Sequence, residues 1–146
     1  MPEITPLTAP DHAAWTVLAR AYNATFGTNI PDDGYTQAWH RLVEAQEVRG
    51  IAARVDGEMV GIAHYRHQPS VWSVGTLYLQ DLYVVPESRK QGVARAMIEW
   101  LAQEAESHGA TSFYWHTHDS NTTARAFYDK VAVYRGFITY NRPLAT

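Results

Sequence analysis

The run Asp81-Leu82-Tyr83-Val84-Val85-Pro86-Glu87-Ser88-Arg89-Lys90-Gln91-Gly92-Val93-Ala94-Arg95-Ala96 gathers residue types that can hold an anion. It reads as a strand, a short basic turn and a helix start. The first-turn N–H groups of a helix have no intrahelical partners and carry partial positive charge, so a diphosphate can rest on them. Gly92 and the small Ala94 let such a group approach the backbone, while Arg89 and Lys90 add charge. The spacing matches neither Gly-x4-Gly-Lys-Ser/Thr nor the three-glycine dinucleotide fingerprint, so nucleotide hydrolysis and hydride transfer lose support. The blander reading is that Gly92 permits close helix–sheet packing and the basic residues are solvated.

Other chemistries find less footing. Seven histidines include His116-x-His118 and His64-x-x-His67, but neither pair has a third ligand at a recognisable spacing, so no metal is expected. No Gly-x-Ser-x-Gly elbow is present for a serine hydrolase. With no cysteine, thiolate nucleophiles and thiolate-held zinc are excluded. A net charge of −3 argues against a nucleic-acid partner and mildly favours a cationic small substrate.

The elements that must position these residues fit one αβ domain over residues 1–146, 46% hydrophobic. A short strand is expected near Glu3 to Leu7. Asp11 then caps a helix with Ala14, Trp15, Leu18, Ala19 and Tyr22 at helical spacing, stopped by Gly27. After a turn at Pro31-Asp32-Asp33-Gly34, a second helix aligns Tyr35, Ala38, Trp39, Leu42 and Val43 on one face. Strands Ile51–Val55 and Met59–Tyr65 form a hairpin through Asp56-Gly57. A strand from Thr76 to Val85 stops at Pro86, and a helix from Lys90 to His108 buries Ala94, Met97, Ile98, Leu101 and Ala105. A strand at Thr111–Thr117, a helix at Asn121–Val131 and a last strand at Phe137–Tyr140 complete the pattern. The strand–helix–strand crossover implies a mixed sheet, antiparallel first and parallel around the long helix.

Arg89-x-x-Gly92-x-Ala94 after a strand ending Leu82-Tyr83-Val84 resembles motif A of the GNAT N-acetyltransferases, whose glycine-containing turn binds the pyrophosphate of acetyl-CoA. Asn121-x-x-Ala124-x-x-Phe127-Tyr128-x-Lys130, with Gly136-Phe137 behind it, is similar to motif B, in which the Asn and Tyr line the CoA arm. Tyr114-Trp115-His116-Thr117 and Tyr128-Asp129-Lys130-Val131-Ala132 resemble the small subgroup typified by yeast histone and polyamine acetyltransferases. The two motifs span about Thr76 to Tyr140; the first half matches only in its order of elements.

The resemblance implies an α/β fold with a mixed central sheet flanked by about four helices. It implies acetyl-CoA as cosubstrate, with no metal, and direct attack by a primary amine in a ternary complex. Cofactor contacts would come from Leu82, Tyr83, Val84, Arg89, Lys90, Gln91, Gly92, Val93, Ala94 and Arg95, and from Asn121, Ala124, Phe127 and Lys130. Backbone groups near Leu82 and Val84 would pair with pantetheine amides as an added strand does, and one of their N–H groups would hold the oxyanion. Tyr128 resembles the tyrosine that protonates the departing CoA sulfur; its blander reading is a buried aromatic. Polyamine-acetylating members carry a Glu-Asp pair where this chain has Gln80-Asp81, and Gln80 cannot accept a proton. Asp81 acting through water is the favoured base, with His64, His116, a low-pKa amine, and Asp81 as a mere anchor as the alternatives. Gln80, Asp81, Tyr35 and Trp39 are the acceptor-binding candidates, with Tyr22 and Phe26 nearby in sequence, although aromatics at helical spacing are more often core.

Four acceptor classes stay open: a polyamine, a free amino acid, a protein lysine or N-terminus, and an antibiotic amine. The competing reading is a non-catalytic acyl-CoA-binding sensor. No basic segment followed by an apolar run and no stretch of ~20 apolar residues is seen, so a cytoplasmic location away from membranes is expected. The subgroup resemblance suggests a homo-oligomer, a dimer through the C-terminal strand.

Overall fold

The computed structural model describes residues 1–145. Its chain divides into a unit of Met1–Trp115 and a unit from His116 onward. The first holds β1 (Glu3–Pro6), α1 (His12–Thr25), α2 (Asp32–Trp39), β2 (Arg49–Val55), β3 (Glu58–Gln68), β4 (Thr76–Val84), α3 (Val93–Ser107) and β5 (Ser112–Tyr114). The second holds α4 (Thr122–Val131). The sheet runs β1-β2-β3-β4-β5, antiparallel from β1 to β4 and parallel at β4/β5, the mixed order expected of a hairpin followed by a crossover. No helix among the described residues is long and apolar enough to cross a membrane.

Each face of the sheet has its own core. Trp15, Leu18 and Ala19 of α1 join Tyr35 and Trp39 of α2 and meet Ala52, Ile62 and Tyr83. Val93, Met97, Ile98, Leu101 and Ala105 are the buried stripe of α3. That helix lies so close to β3 that a Cβ on Gly61 would stand 2.9 Å from Met97 Cε. The β2–β3 turn has Asp56 at φ 52° and Gly57 at φ 81°, the left-handed pair a two-residue hairpin needs.

Several sequence expectations are corrected. Asp11 does not cap α1; its carboxylate accepts from the Thr8 N–H (2.9 Å) and pairs with Arg54 (2.8 Å), so it ties the helix entry to β2. The second helix starts earlier, at Asp32, with Gly34 inside it, and ends in a π-helical turn at His40–Glu44. The long helix starts later, at Val93, because Lys90 (φ 62°) and Gly92 (φ 84°) are left-handed and cannot continue a right-handed helix. Val93 rather than half-buried Ala94 therefore faces the core. The Thr111–Thr117 strand shortens to Ser112–Tyr114. Phe137–Tyr140 is not a strand: Phe137, Ile138 and Tyr140 are exposed, and no ladder partner for them is found among the described residues.

Candidate functional site

The site is organised by a bulge in β4. His64 pairs with Asp81 and Tyr65 with Leu79, so Gln80 is the extra residue opposite an unbroken β3. An extra residue reverses the alternation of side chains. Leu77 and Leu79 accordingly pack on the same face as Tyr65 and His67, whereas Asp81 and Tyr83 share the opposite face with His64 and Ile62. Gln80 itself is exposed, and its amide oxygen accepts from Arg66 at 3.3 Å.

Asp81 lies in a chain of polar contacts beneath α1. The Tyr22 hydroxyl donates to Asp81 Oδ1 (2.8 Å), and Asp81 Oδ2 lies 2.8 Å from His64 Nδ1. The Trp15 indole N–H donates to His64 Nε2 (2.9 Å). An indole can only donate, so Nε2 accepts, and the ring proton sits on Nδ1 and points at Asp81. Burial works to raise the Asp81 pKa. The hydrogen bond and field of His64 and the bond from Tyr22 outweigh it, and the carboxyl is held below its ordinary range. Asp81 is thus a fixed anion with both oxygens engaged.

Among the described residues, no strand pairs with the outer edge of β4 beyond Tyr78: pairing with β5 covers only Thr76–Ser112, Leu77–Phe113 and Tyr78–Tyr114. The Val85 N–H donates to Val60 O (2.9 Å), and counting back by twos puts the backbone groups of Leu82 and Val84 on the side away from β3. Arg89 Nε already donates to the Val84 carbonyl (2.9 Å), leaving the N–H groups of Leu82 and Val84 as the donors of this edge. Tyr83 is turned the other way in backbone and side chain; the residue is 9% exposed and its ring packs edge-on to Tyr22.

The open edge leads through Pro86–Ser88 into the basic turn and α3. Gly92 is the N-cap and has no side chain to offer, so the first-turn N–H groups of Val93, Ala94 and Arg95 are uncapped. A Cβ at Gly92 would meet nothing within 4 Å; the glycine is required by its φ, not by crowding. The first turn has no acidic residue, and Arg89, Lys90 and Arg95 surround it with positive charge. Gln91 reaches back to the Glu87 carbonyl (3.2 Å), which stiffens the turn.

In the second unit, Asn121 caps α4 by accepting the Ala124 N–H at 3.2 Å. Its amide therefore has a structural task that the sequence pattern did not separate from a cofactor contact. Tyr128 is half-buried on α4 beside Phe127, with ring centres 5.6 Å apart, and burial pushes its phenol above its ordinary pKa. Lys130 is exposed on the last turn.

The structure therefore brings Leu82, Val84, Arg89, Lys90, Gln91, Gly92, Val93, Ala94 and Arg95 along one continuous edge and turn, with Gln80 and Asp81 at its inner end. Asn121, Ala124, Phe127, Tyr128 and Lys130 are gathered on α4. Tyr35 and Trp39, offered above as acceptor-binding candidates, lie in the core: each is 6% exposed, Tyr35 edge-on to Trp15 and Trp39 stacked on His12. The sequence reading missed the Trp15–His64–Asp81–Tyr22 chain, since residues 15, 22, 64 and 81 carry no common spacing. An open surface depression lined by Thr36, Gln37, His40, Arg41, Glu44 and Glu47 shares no residue with the site.

Residues 15–132 match the model of the acetyltransferase (GNAT) family. The chain is 31% identical over 136 residues to the D-amino-acid N-acetyltransferase HPA3 of Saccharomyces cerevisiae, covering 90% of this chain and 84% of that one. It is 33% identical over 89 residues to the thialysine N-epsilon-acetyltransferase of Caenorhabditis elegans, covering 61% of this chain and 56% of the relative. Among solved structures, AAC(6')-Iy in complex with the bisubstrate analog CoA-S-monomethyl-acetylneamine superposes with a TM-score of 0.84 at 19% identity, covering 99% of each chain. That last likeness is one of fold.

Proposed function

Because the chain belongs to the GNAT family of acetyltransferases, we propose that it transfers an acetyl group from acetyl-CoA to a primary amine of a small molecule or peptide. The observation that carries this reading is the unpaired outer edge of β4 running into an uncapped, basic helix start. An extended pantetheine arm fits such an edge as a further strand would, accepting from the N–H groups of Leu82 and Val84. Its diphosphate then falls on the N–H groups of Val93, Ala94 and Arg95, with Arg89 and Lys90 for countercharge. That one of the relatives is named for amino-acid acetylation and a fold neighbour holds a CoA bisubstrate analog supports this class of donor and acceptor.

The chemistry follows from the groups available. The amine nitrogen attacks the thioester carbon, a β4 N–H takes the developing oxyanion, and the C–S bond breaks as the thiolate receives a proton from Tyr128. Tyr128 keeps its proton at neutral pH because burial favours the neutral phenol. Asp81 is a weak base in the free protein, being held ionised by two donors. Its use is the anion itself, which draws a cationic amine; the ammonium loses its first proton to solvent before attack, and Asp81 accepts the second once attack has made that nitrogen strongly acidic. Gln80, exposed at the bulge, borders the same approach.

A second reading has its own support: Gln80 cannot take a proton and Asp81 is already doubly hydrogen-bonded, so the domain binds acyl-CoA without turnover. Thiol release from acetyl-CoA, measured against polyamines, amino acids and histone-tail peptides with the native protein and Tyr128→Phe, separates the two. Turnover on one acceptor class that falls in Tyr128→Phe supports the enzyme. Tight binding with no turnover on any acceptor supports the sensor.

A further inference from the structure

The α3 face of β3 carries polar groups that acetyl transfer does not use. His67 stands on β3, and Glu104 and His108 are four residues apart at the end of α3, so they share one side of the helix. His67 Nε2 lies 3.2 Å from Glu104 Oε2, the His67 and His108 rings are 3.8 Å apart, and one ligand atom from each residue falls within 4.8 Å of the others. His67 and Glu104 are half-buried and His108 is exposed.

We propose that His67, Glu104 and His108 form a binding site for a divalent transition-metal ion, Zn2+ in the first instance, that pins the C-terminal end of α3 to β3. Two imidazoles and a carboxylate are a common protein set for Zn2+, with water completing the tetrahedron. Bonds of about 2.0–2.1 Å place neighbouring ligand atoms roughly 3.4 Å apart, so the cluster, whose ligand atoms lie within 4.8 Å of one another, must contract by up to about 1.4 Å. The two rings are stacked within 18° of parallel and cannot both aim a lone pair at one ion as they stand. His108, exposed at the helix end, is the ligand placed to swing.

Two further features favour a cation here. The site is at the C-terminal end of a 15-residue helix, where the backbone dipole is negative. The buried Tyr65 ring packs edge-on to His67, with centres 5.9 Å apart, and so fixes the orientation of that imidazole. His67 lies on the sheet face opposite that of Asp81, and Glu104 is eleven residues, roughly 17 Å along the helix, from the diphosphate-binding turn at Val93, so the ion would stand apart from both and its role is to stabilise or regulate.

The test is calorimetric titration of tag-free, chelator-treated protein with ZnCl2, paired with thermal unfolding. The expectation is one equivalent bound and a rise in Tm, with binding weakened by roughly a hundredfold or more in His67→Ala and in Glu104→Gln. His108→Ala, exposed and therefore safe for folding, should lose binding with its metal-free Tm unchanged. A His116→Ala/His118→Ala variant should bind as the native protein does. Absence of binding, or binding that survives His108→Ala and is lost in the His116/His118 variant, overturns the proposal.

Discussion

Replacing Asp81 by two different residues separates its charge from its hydrogen bonding. Asp81→Ala removes the acceptor of the His64 Nδ1–H, and the ring cannot simply change tautomer because Trp15 already donates to Nε2. It also removes the Tyr22 bond. The His64 Nδ1–H left without its acceptor costs about 2 kcal/mol and the lost Tyr22 bond about 1 kcal/mol, about 3 kcal/mol together. Asp81→Asn keeps both contacts, its carbonyl accepting from His64 and its NH2 donating to the Tyr22 oxygen. Charge-assisted bonds become neutral ones of roughly half the strength, a loss of about 1 kcal/mol. For a chain of this size the expected falls in Tm are about 8 °C for Ala and about 3 °C for Asn.

The same pair has a pH signature. The Asp81 pKa in the folded protein lies below that of an unfolded carboxylate, so its stabilisation is full above about pH 4 and is lost as pH falls through the folded value. The stability gap between native protein and Asp81→Asn should therefore close in acid. Urea unfolding of all three proteins at pH 7 and at successive points below pH 4 measures it. Equal losses for Ala and Asn, or a gap that stays constant into acid, would refute the clamp and the Nδ1 tautomer with it.

Three other outcomes are expected. Tyr128→Phe should lower kcat roughly a hundredfold or more while leaving acetyl-CoA affinity within about twofold, as loss of a general acid requires; isothermal titration beside steady-state assays checks both. Gly92→Ala should cost about 1–2 kcal/mol of stability through its left-handed φ, and Gly92→Glu should in addition weaken acetyl-CoA binding by at least tenfold, roughly 1.4 kcal/mol, because a carboxylate faces the diphosphate. Tyr65, 4% exposed, has its pKa pushed up to about 12 by burial and then by Glu104. Its stabilising share, roughly 2–3 kcal/mol, is full below pH ~10 and lost as pH rises towards 12, so Tyr65→Phe should flatten the alkaline unfolding limb.

Where structure follows from local rules, the sequence disclosed it. The helical spacing of Trp15, Leu18 and Ala19 and the Asp56-Gly57 turn depend on neighbours a few residues away, and both stand as expected. So does the basic turn, because a strand end, Pro86 and Gly92 lie within one short run. Features set by distant partners were hidden. Asp11 was taken by Arg54, 43 residues later, rather than by its own helix. Tyr35 and Trp39 became core because α1 lies over them, and no periodicity states which aromatic face is covered. Phe137–Tyr140 has the composition of a strand, but a strand exists only with a partner to pair.

The supernumerary Gln80 also governs how this strand can change in length. β4 is two half-strands spliced out of step, one directing leucines to α3 and the other directing a carboxylate to α1. Deleting Gln80 would heal the bulge: Leu79 and Asp81, then consecutive, would still point to opposite faces, and Asp81 would still stand opposite His64. Losing Leu79 as well would send Asp81 into the apolar layer under α3 and break its contacts with His64 and Tyr22 together. Drift in length at this position is thus judged by its parity, and a two-residue deletion would be far more damaging than the loss of the bulge residue alone.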